Sequence, residues 1–187
     1  MTRRASLAVC LTLVLVAPAA AELVNENLLA AVPDGYKIDF HDKNARMLVD
    51  EMVPLRETVH DWTEMVTVQI YFGLTDVAPA RMKDDIEKRW FDACANAQSH
   101  PVASAVENGY PVSAWWLTCP LNGTTGKPEF TWFKAIQGHD SFYVVQKAFK
   151  FAPTQGQVDV WLRYLKTVSV CDSRLADRPC PAGAIKQ

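Results

Sequence analysis

Residues 65–72, Met-Val-Thr-Val-Gln-Ile-Tyr-Phe, alternate so that Val66, Val68, Ile70 and Phe72 share one side of an extended chain and Thr67, Gln69 and Tyr71 the other. Side chains of a strand point to opposite faces in turn, so this period of two, in residues that favour strands, specifies a sheet with at least one buried face. That face needs a cover. Two amphipathic helical segments can supply it. One spans 79–97, with Pro79 suited to a first helical position, Met82, Ile86, Trp90, Ala93 and Ala97 at spacings of three and four, and Pro101 as its stop. The other opens with Thr154-Gln155-Gly156-Gln157, a capping-box pattern, and carries Val158, Trp161, Leu162, Leu165 and Val168 on one face. Thr67, Gln69 and Tyr71 then look toward thinner cover or solvent, so Val68→Asp is expected to cost several kcal/mol and Thr67→Asp about 1.

The remaining segments read mostly as strands. Residues 36–40 alternate, and His41-Asp42-Lys43-Asn44 is turn chemistry leading into a strand over 47–53, which makes a hairpin. Residues 54–61 are polar and irregular. Four strand candidates, 102–106, 110–119, 129–137 and 141–151, are joined by the turn-rich connections Asn108-Gly109, 122–128 and 138–140, so neighbours should pair antiparallel. Residues 22–32 read as a short helix broken by Pro33-Asp34-Gly35. The expected fold class is α+β, one domain over 22–187, with an antiparallel sheet of about six to seven strands covered by two main helices.

The first 21 residues read as an export signal: Arg3 and Arg4, an apolar run over 7–16, and Ala19-Ala20-Ala21 before cleavage after Ala21. General secretion fits better than twin-arginine export, because Ser6 stands where the latter usually has a bulky apolar residue. Val9 before Cys10 argues against lipid attachment. The apolar run is shorter than the roughly 20 residues needed to cross a bilayer, so no membrane insertion is expected after cleavage.

Cleavage would leave four cysteines, Cys94, Cys119, Cys171 and Cys180, an even number bound for an oxidising compartment. Two disulfides follow. Of the three connectivities, Cys94–Cys119 with Cys171–Cys180 is favoured, since the second pair closes a short loop and the first ties a helix to the strand region after it. A zinc site is disfavoured, because neither pair has the close ligand spacing that such sites use.

The chemistry-bearing residues form no recognisable motif. With 21 acidic against 19 basic side chains in 187 residues, the chain lacks the basic excess that nucleic-acid partners require. His41-Asp42, His60-Asp61 and His139-Asp140 each fall in a turn or loop, and no histidine has another three to five residues away, so no metal site is assigned. Gly138-His139-Asp140-Ser141 has the residue types of a hydrolase triad, but contiguous residues cannot relay a proton among themselves, and no Gly-x-Ser-x-Gly elbow is present. Residues 121–128 fail as a phosphate loop at Leu121 and Pro128, and no cofactor is expected. Trp90 and Trp161 read as core anchors on helix faces. Trp115 and Trp116 point to opposite sides of one strand, so one of them is either covered by a further layer or exposed for binding. Trp115 with Thr67, Gln69 and Tyr71 makes the candidate lining of a ligand groove, and no catalytic residue is assigned.

The order of elements resembles the PsbP-like α/β/α sandwich. Residues 59–69, Val-His-Asp-Trp-Thr-Glu-Met-Val-Thr-Val-Gln, with Val170-Cys171-Asp172-Ser173-Arg174 and Arg178-Pro179-Cys180-Pro181, are similar to segments of an uncharacterised family of secreted proteobacterial proteins. The PsbP-like resemblance implies an accessory or assembly role and carries no catalytic, metal or partner residue with it. The expectation is a secreted periplasmic binding or accessory protein without enzymatic activity, whose partner is a protein or a small molecule. The alternative is a small periplasmic hydrolase whose polar groups converge only in three dimensions.

Overall fold

The computed structural model describes residues 23–181. The expected signal sequence, with its expected cleavage site and Cys10, lies outside them. In chain order the elements are β1 (Glu26–Leu29), β2 (Tyr36–Lys43), β3 (Met47–Pro54), β4 (Glu64–Phe72), α1 (Pro79–Ala93), β5 (Gln98–Glu107), β6 (Tyr110–Cys119), β7 (Glu129–Gln137), β8 (Ser141–Phe149), α2 (Gln155–Thr167) and β9 (Ser169–Asp172). Seven strands form one antiparallel sheet in the order β2-β3-β4-β8-β7-β6-β5, while β1 and β9 pair separately. The sheet is thus two meanders joined where β4 meets β8, with Val68 opposite Val145.

Local chemistry explains most of these elements. Asn108 and Gly109 both take positive φ, 46° and 76°, which a two-residue hairpin turn of the I′ kind demands. The capping box of α2 is formed: the Thr154 side chain accepts from the Gln157 backbone, and the Thr154 backbone N–H donates to Gln157 Oε1 at 2.9 Å. Both disulfides join as the spacing favours, Cys94 to Cys119 and Cys171 to Cys180.

The two helices lie on opposite faces. Val66, Val68 and Ile70 pack with Val145 and Phe149 against Trp161 and Leu165 of α2. On the other face Met82 and Ile86 of α1 cover Trp115, Leu117, Phe133 and Val144. This corrects the expectation of a thinly covered second face, since Thr67 there is only 4% exposed. The sequence pattern marks which sides are apolar; it does not say which helix crosses to which side.

Four local expectations also change. Residues 26–29 are a strand, since β1 finds its partner in β9, with Glu26 opposite Asp172. The turn expected at 41–44 falls later: β2 runs to Lys43, and Asn44 Oδ1 accepts from the backbone of Arg46 and Met47 at 2.8 and 3.0 Å. Helix α1 ends at Ala93, where the chain turns extended at Cys94 to reach Cys119. Pro101 lies inside β5, an edge strand, beside a register shift where a missing N–H is tolerated.

Strand β1 is anchored by one carboxylate. Glu26 accepts hydrogen bonds from the backbone N–H groups of His139 (2.6 Å), Asp140 (3.0 Å) and Ser141 (3.2 Å) and from the Tyr143 hydroxyl (2.9 Å). Such a run of N–H groups makes a concavity suited to an anion. Gly138 permits the approach, because a Cβ there would overlap the Glu26 carboxylate and lie 2.6 Å from the Ser141 carbonyl oxygen. Gly138→Ala is therefore expected to cost about 2 kcal/mol and to speed amide exchange in β1. Unchanged exchange over 26–29 would show that the clamp does not hold the strand.

Candidate functional site

Helix α1 lies over β5, β6 and β7, and between its C-terminal half and the β3-β4-β8 part of the sheet a cleft of about 460 Å³ remains. Gln69 and Tyr71 of β4 and Gln146 of β8 line its sheet side, and Arg89 and Trp90 of α1 its helix side. Trp90 is half-buried and meets Phe133 edge to face, with ring centres 6.1 Å apart; Phe133 in turn stacks on Trp115 at 4.9 Å. The Tyr71 hydroxyl donates to Gln69 Oε1 at 3.3 Å, and burial raises its pKa while nearby Arg89 lowers it.

One end of the cleft is closed by the Cys94–Cys119 disulfide and holds Glu129. Its carboxylate accepts from Asn122 Nδ2 at 2.9 Å and from Thr131 Oγ1 at 3.3 Å. Burial raises the Glu129 pKa, outweighing those two hydrogen bonds and the charge of Lys150. The cleft therefore offers side-chain amides, a phenol, a carboxyl of raised pKa and one exposed guanidinium between aromatic walls. Such a set suits a partner with hydrogen-bonding groups on an apolar body. Its lining contains no histidine, serine or threonine, and both of its cysteines are tied in a disulfide.

Of the groove residues expected from sequence, Gln69 and Tyr71 meet in this cleft. Thr67 and Trp115 lie outside it. Thr67 is buried one step along β4, and Trp115 is 0% exposed beneath α1, its indole N–H without a partner. Arg89, Trp90, Glu129 and Gln146 were not singled out for the groove by sequence. Trp90 belongs to the apolar stripe of α1, and only its place at the edge of the covered area distinguishes it from a core anchor.

A second cleft, of about 270 Å³, opens on the α2 face between the N-terminal segment and β3, β4 and β8. Buried Asp50 lines it and pairs with His41 Nδ1 at 2.5 Å. The three His-Asp dipeptides do not converge on a site: His41 reaches Asp50 across the β2–β3 pair, His60 is exposed, and His139 leans on Tyr110. Among the described residues no group of three or more His, Cys, Asp or Glu side chains could hold a metal ion.

A buried lysine lines neither cleft. Lys147, on β8, is 0% exposed and donates to the Tyr36 hydroxyl at 2.7 Å and to Glu64 Oε2 at 2.8 Å. Its ammonium sits over the rings of Trp161, Phe149 and Tyr36 at 3.8, 4.5 and 4.9 Å. Burial lowers its pKa to about 8, although Glu64 and Glu57 pull upward. Lys134 is buried as well, and its Nζ donates to the Leu165 and Val168 carbonyls at the C-terminal end of α2, at 3.1 and 2.7 Å.

Together these features define an α+β sandwich, a seven-stranded antiparallel sheet between single helices, with a polar-floored, aromatic-walled cleft under one of them. No protein-family model and no curated protein matches the chain. Among solved structures it is similar to the Ran-binding protein Mog1p of Saccharomyces cerevisiae, with a TM-score of 0.43 and 10% identity over 76% of this chain and 85% of that one. A single-substitution mutant of Mog1 gives the same score and identity over 75% and 85%.

Proposed function

We propose that this chain is a periplasmic accessory protein, exported by a signal sequence removed after Ala21, which binds a protein or small-molecule partner in the cleft beneath α1 and performs no catalysis of its own. The observation that carries the reading is the lining of that cleft, where aromatic walls flank the hydrogen-bonding side chains of Gln69, Tyr71 and Gln146. The two disulfides suit an oxidising compartment, and no helix among the described residues is long and apolar enough to cross a membrane. The layering of helix, sheet and helix supports the PsbP-like reading and, with it, a role beside larger assemblies. The proteobacterial family remains part of this proposal on the strength of the quoted segments.

The test is site-specific photo-crosslinking in the periplasm of a proteobacterial host, with native mass spectrometry of the recovered protein. A probe at Gln69 is expected to give a discrete adduct that a probe at exposed Val160 does not, and Trp90→Ala should reduce it severalfold. The recovered chain should begin at Glu22. Equal labelling from both positions, or a chain that keeps residues 1–21, would overturn the proposal.

A further inference from the structure

The two edges of the large sheet differ. Edge strand β2 carries Lys37, Asp39, His41, Asp42 and Lys43 and a register shift between Ile38 and Phe40, features that discourage further pairing. Edge strand β5 confines such features to one end, where Pro101 and a register shift lie, and the rest of its edge is unguarded. From Pro101 to Glu107 every residue is exposed, Val102 at 53% and Val106 at 69%, and residues 102–106 include no charge. The nearest charged residue along the strand, Glu107, is occupied by Lys134 Nζ at 2.5 Å.

The exposed stretch reads the same in both directions: Val102-Ala103-Ser104-Ala105-Val106. An antiparallel pairing of two identical strands is related by a two-fold axis, and each residue then faces its mirror position about the centre. We infer that β5 pairs with β5 of a second copy of this chain, antiparallel about Ser104, joining two seven-stranded sheets into one.

In that register Ser104 meets Ser104 of the partner subunit, Ala103 meets Ala105 of the partner subunit, and Val102 meets Val106 of the partner subunit. The faces agree. Ser104 and Val106 lie opposite Ser113 and Pro111, on the α1 side, whereas Ala103 and Ala105 lie opposite Ala114 and Val112, on the α2 side. A two-fold axis normal to the sheet keeps each residue on its own side, so the pleats match over the central residues Ala103, Ser104 and Ala105. The segment has natural bounds: at one end the register shift, which falls at Val102 beside Pro101 with its missing N–H, and at the other the Asn108-Gly109 turn. This pairing leaves the cleft beneath α1 untouched and does not depend on what that cleft binds.

Sedimentation equilibrium of the mature protein up to about 1 mM, with three variants, tests the pairing. The wild type is expected to pass from monomer to dimer as concentration rises. Ser104→Lys sets two ammonium groups directly opposite at the axis and should weaken the dimer by at least about tenfold with the fold retained by circular dichroism. Ser104→Cys should form a covalent dimer on oxidation, and Val160→Cys, exposed on α2, should not. Should Ser104→Lys fail to fold, the comparison of the two cysteine variants decides. A wild type monomeric throughout, a Ser104→Lys dimer of undiminished strength, or equal cross-linking of both cysteine variants would overturn the inference, as would pairing of this edge with a different protein in place of a second copy.

Discussion

Glu64→Leu is expected to destabilise the protein by about 3–5 kcal/mol in urea titrations, the largest effect of any single change away from the hydrophobic core. The reason is the lysine it leaves behind. Lys147 is wholly buried, and Glu64 is its one anionic hydrogen-bonding partner among the described residues, at 2.8 Å; the Tyr36 hydroxyl and three aromatic rings remain, but none carries a compensating charge. Removing one member of a buried pair exposes the full desolvation penalty of the other, whereas replacing both removes the penalty together with the attraction. Glu64→Leu combined with Lys147→Met should therefore recover most of the loss, with a coupling of about 2 kcal/mol or more between the sites.

The same lysine makes stability depend on pH. Burial lowers its pKa in the folded protein from the ordinary 10.5 to about 8. Between those values the unfolded chain holds a proton that the folded chain has released, so stability rises with pH across that window. Burial raises the tyrosine pKa values of Tyr36 and Tyr143, and folded tyrosines that hold their protons longer make stability fall above about pH 10. Wild type should thus gain about 2 kcal/mol relative to Lys147→Met between pH 8 and pH 10. A flat difference across that range, with a loss of about 1 kcal/mol or less for Glu64→Leu, would mean that water reaches the ammonium and that the pair is not buried in solution.

Lys147 also marks where sequence reading stops. Residues 141–149 announce a strand by their apolar content, and nothing in the run tells that its one lysine points inward, because the carboxylate and the phenol that receive it come from Glu64 and Tyr36, far along the chain, and a third ring from Trp161 of the next helix. What is local was legible. The alternation of residues 65–72, the Asn108-Gly109 turn, the capping box at Thr154 and the spacing of the cysteines each act through neighbours in sequence or through a count, and each appears in the fold. Strands β1 and β9 were not legible. Each is four residues long, and each is specified by a partner 140 or more residues away, so residues 22–32 kept only a weak helical pattern to read. The candidate site was half legible for a related reason: Gln69 and Tyr71 follow from strand parity, but Arg89, Trp90 and Glu129 join them only through the way α1 crosses the sheet.

That crossing leads to the second large effect. Thr67→Asp should destabilise the protein about as much as Val68→Asp, each by about 3 kcal/mol or more, although strand parity taken alone would place only Val68 in a core. Val68 is 1% exposed under α2 and Thr67 4% exposed on the α1 face, so a carboxylate at either site loses its water. At Thr67 the cross-strand neighbours are Glu51 and Gln146. Neither is a cation, and burial already raises the pKa of Glu51, so a second acid opposite it adds like-charge repulsion to the cost of desolvation. Val68 faces buried Asp50 across the β3–β4 pair just as Thr67 faces Glu51, so as pH falls toward the ordinary carboxyl range and the new acids protonate, the like-charge part of the penalty should shrink for both variants. Urea titrations at pH 7 and pH 5 measure both quantities. A Thr67→Asp penalty near 1 kcal/mol at pH 7 would show that water penetrates the β4 region beneath α1, and that the cleft floored by Gln69 and Tyr71 extends one residue further along β4 than the packing of the folded chain indicates.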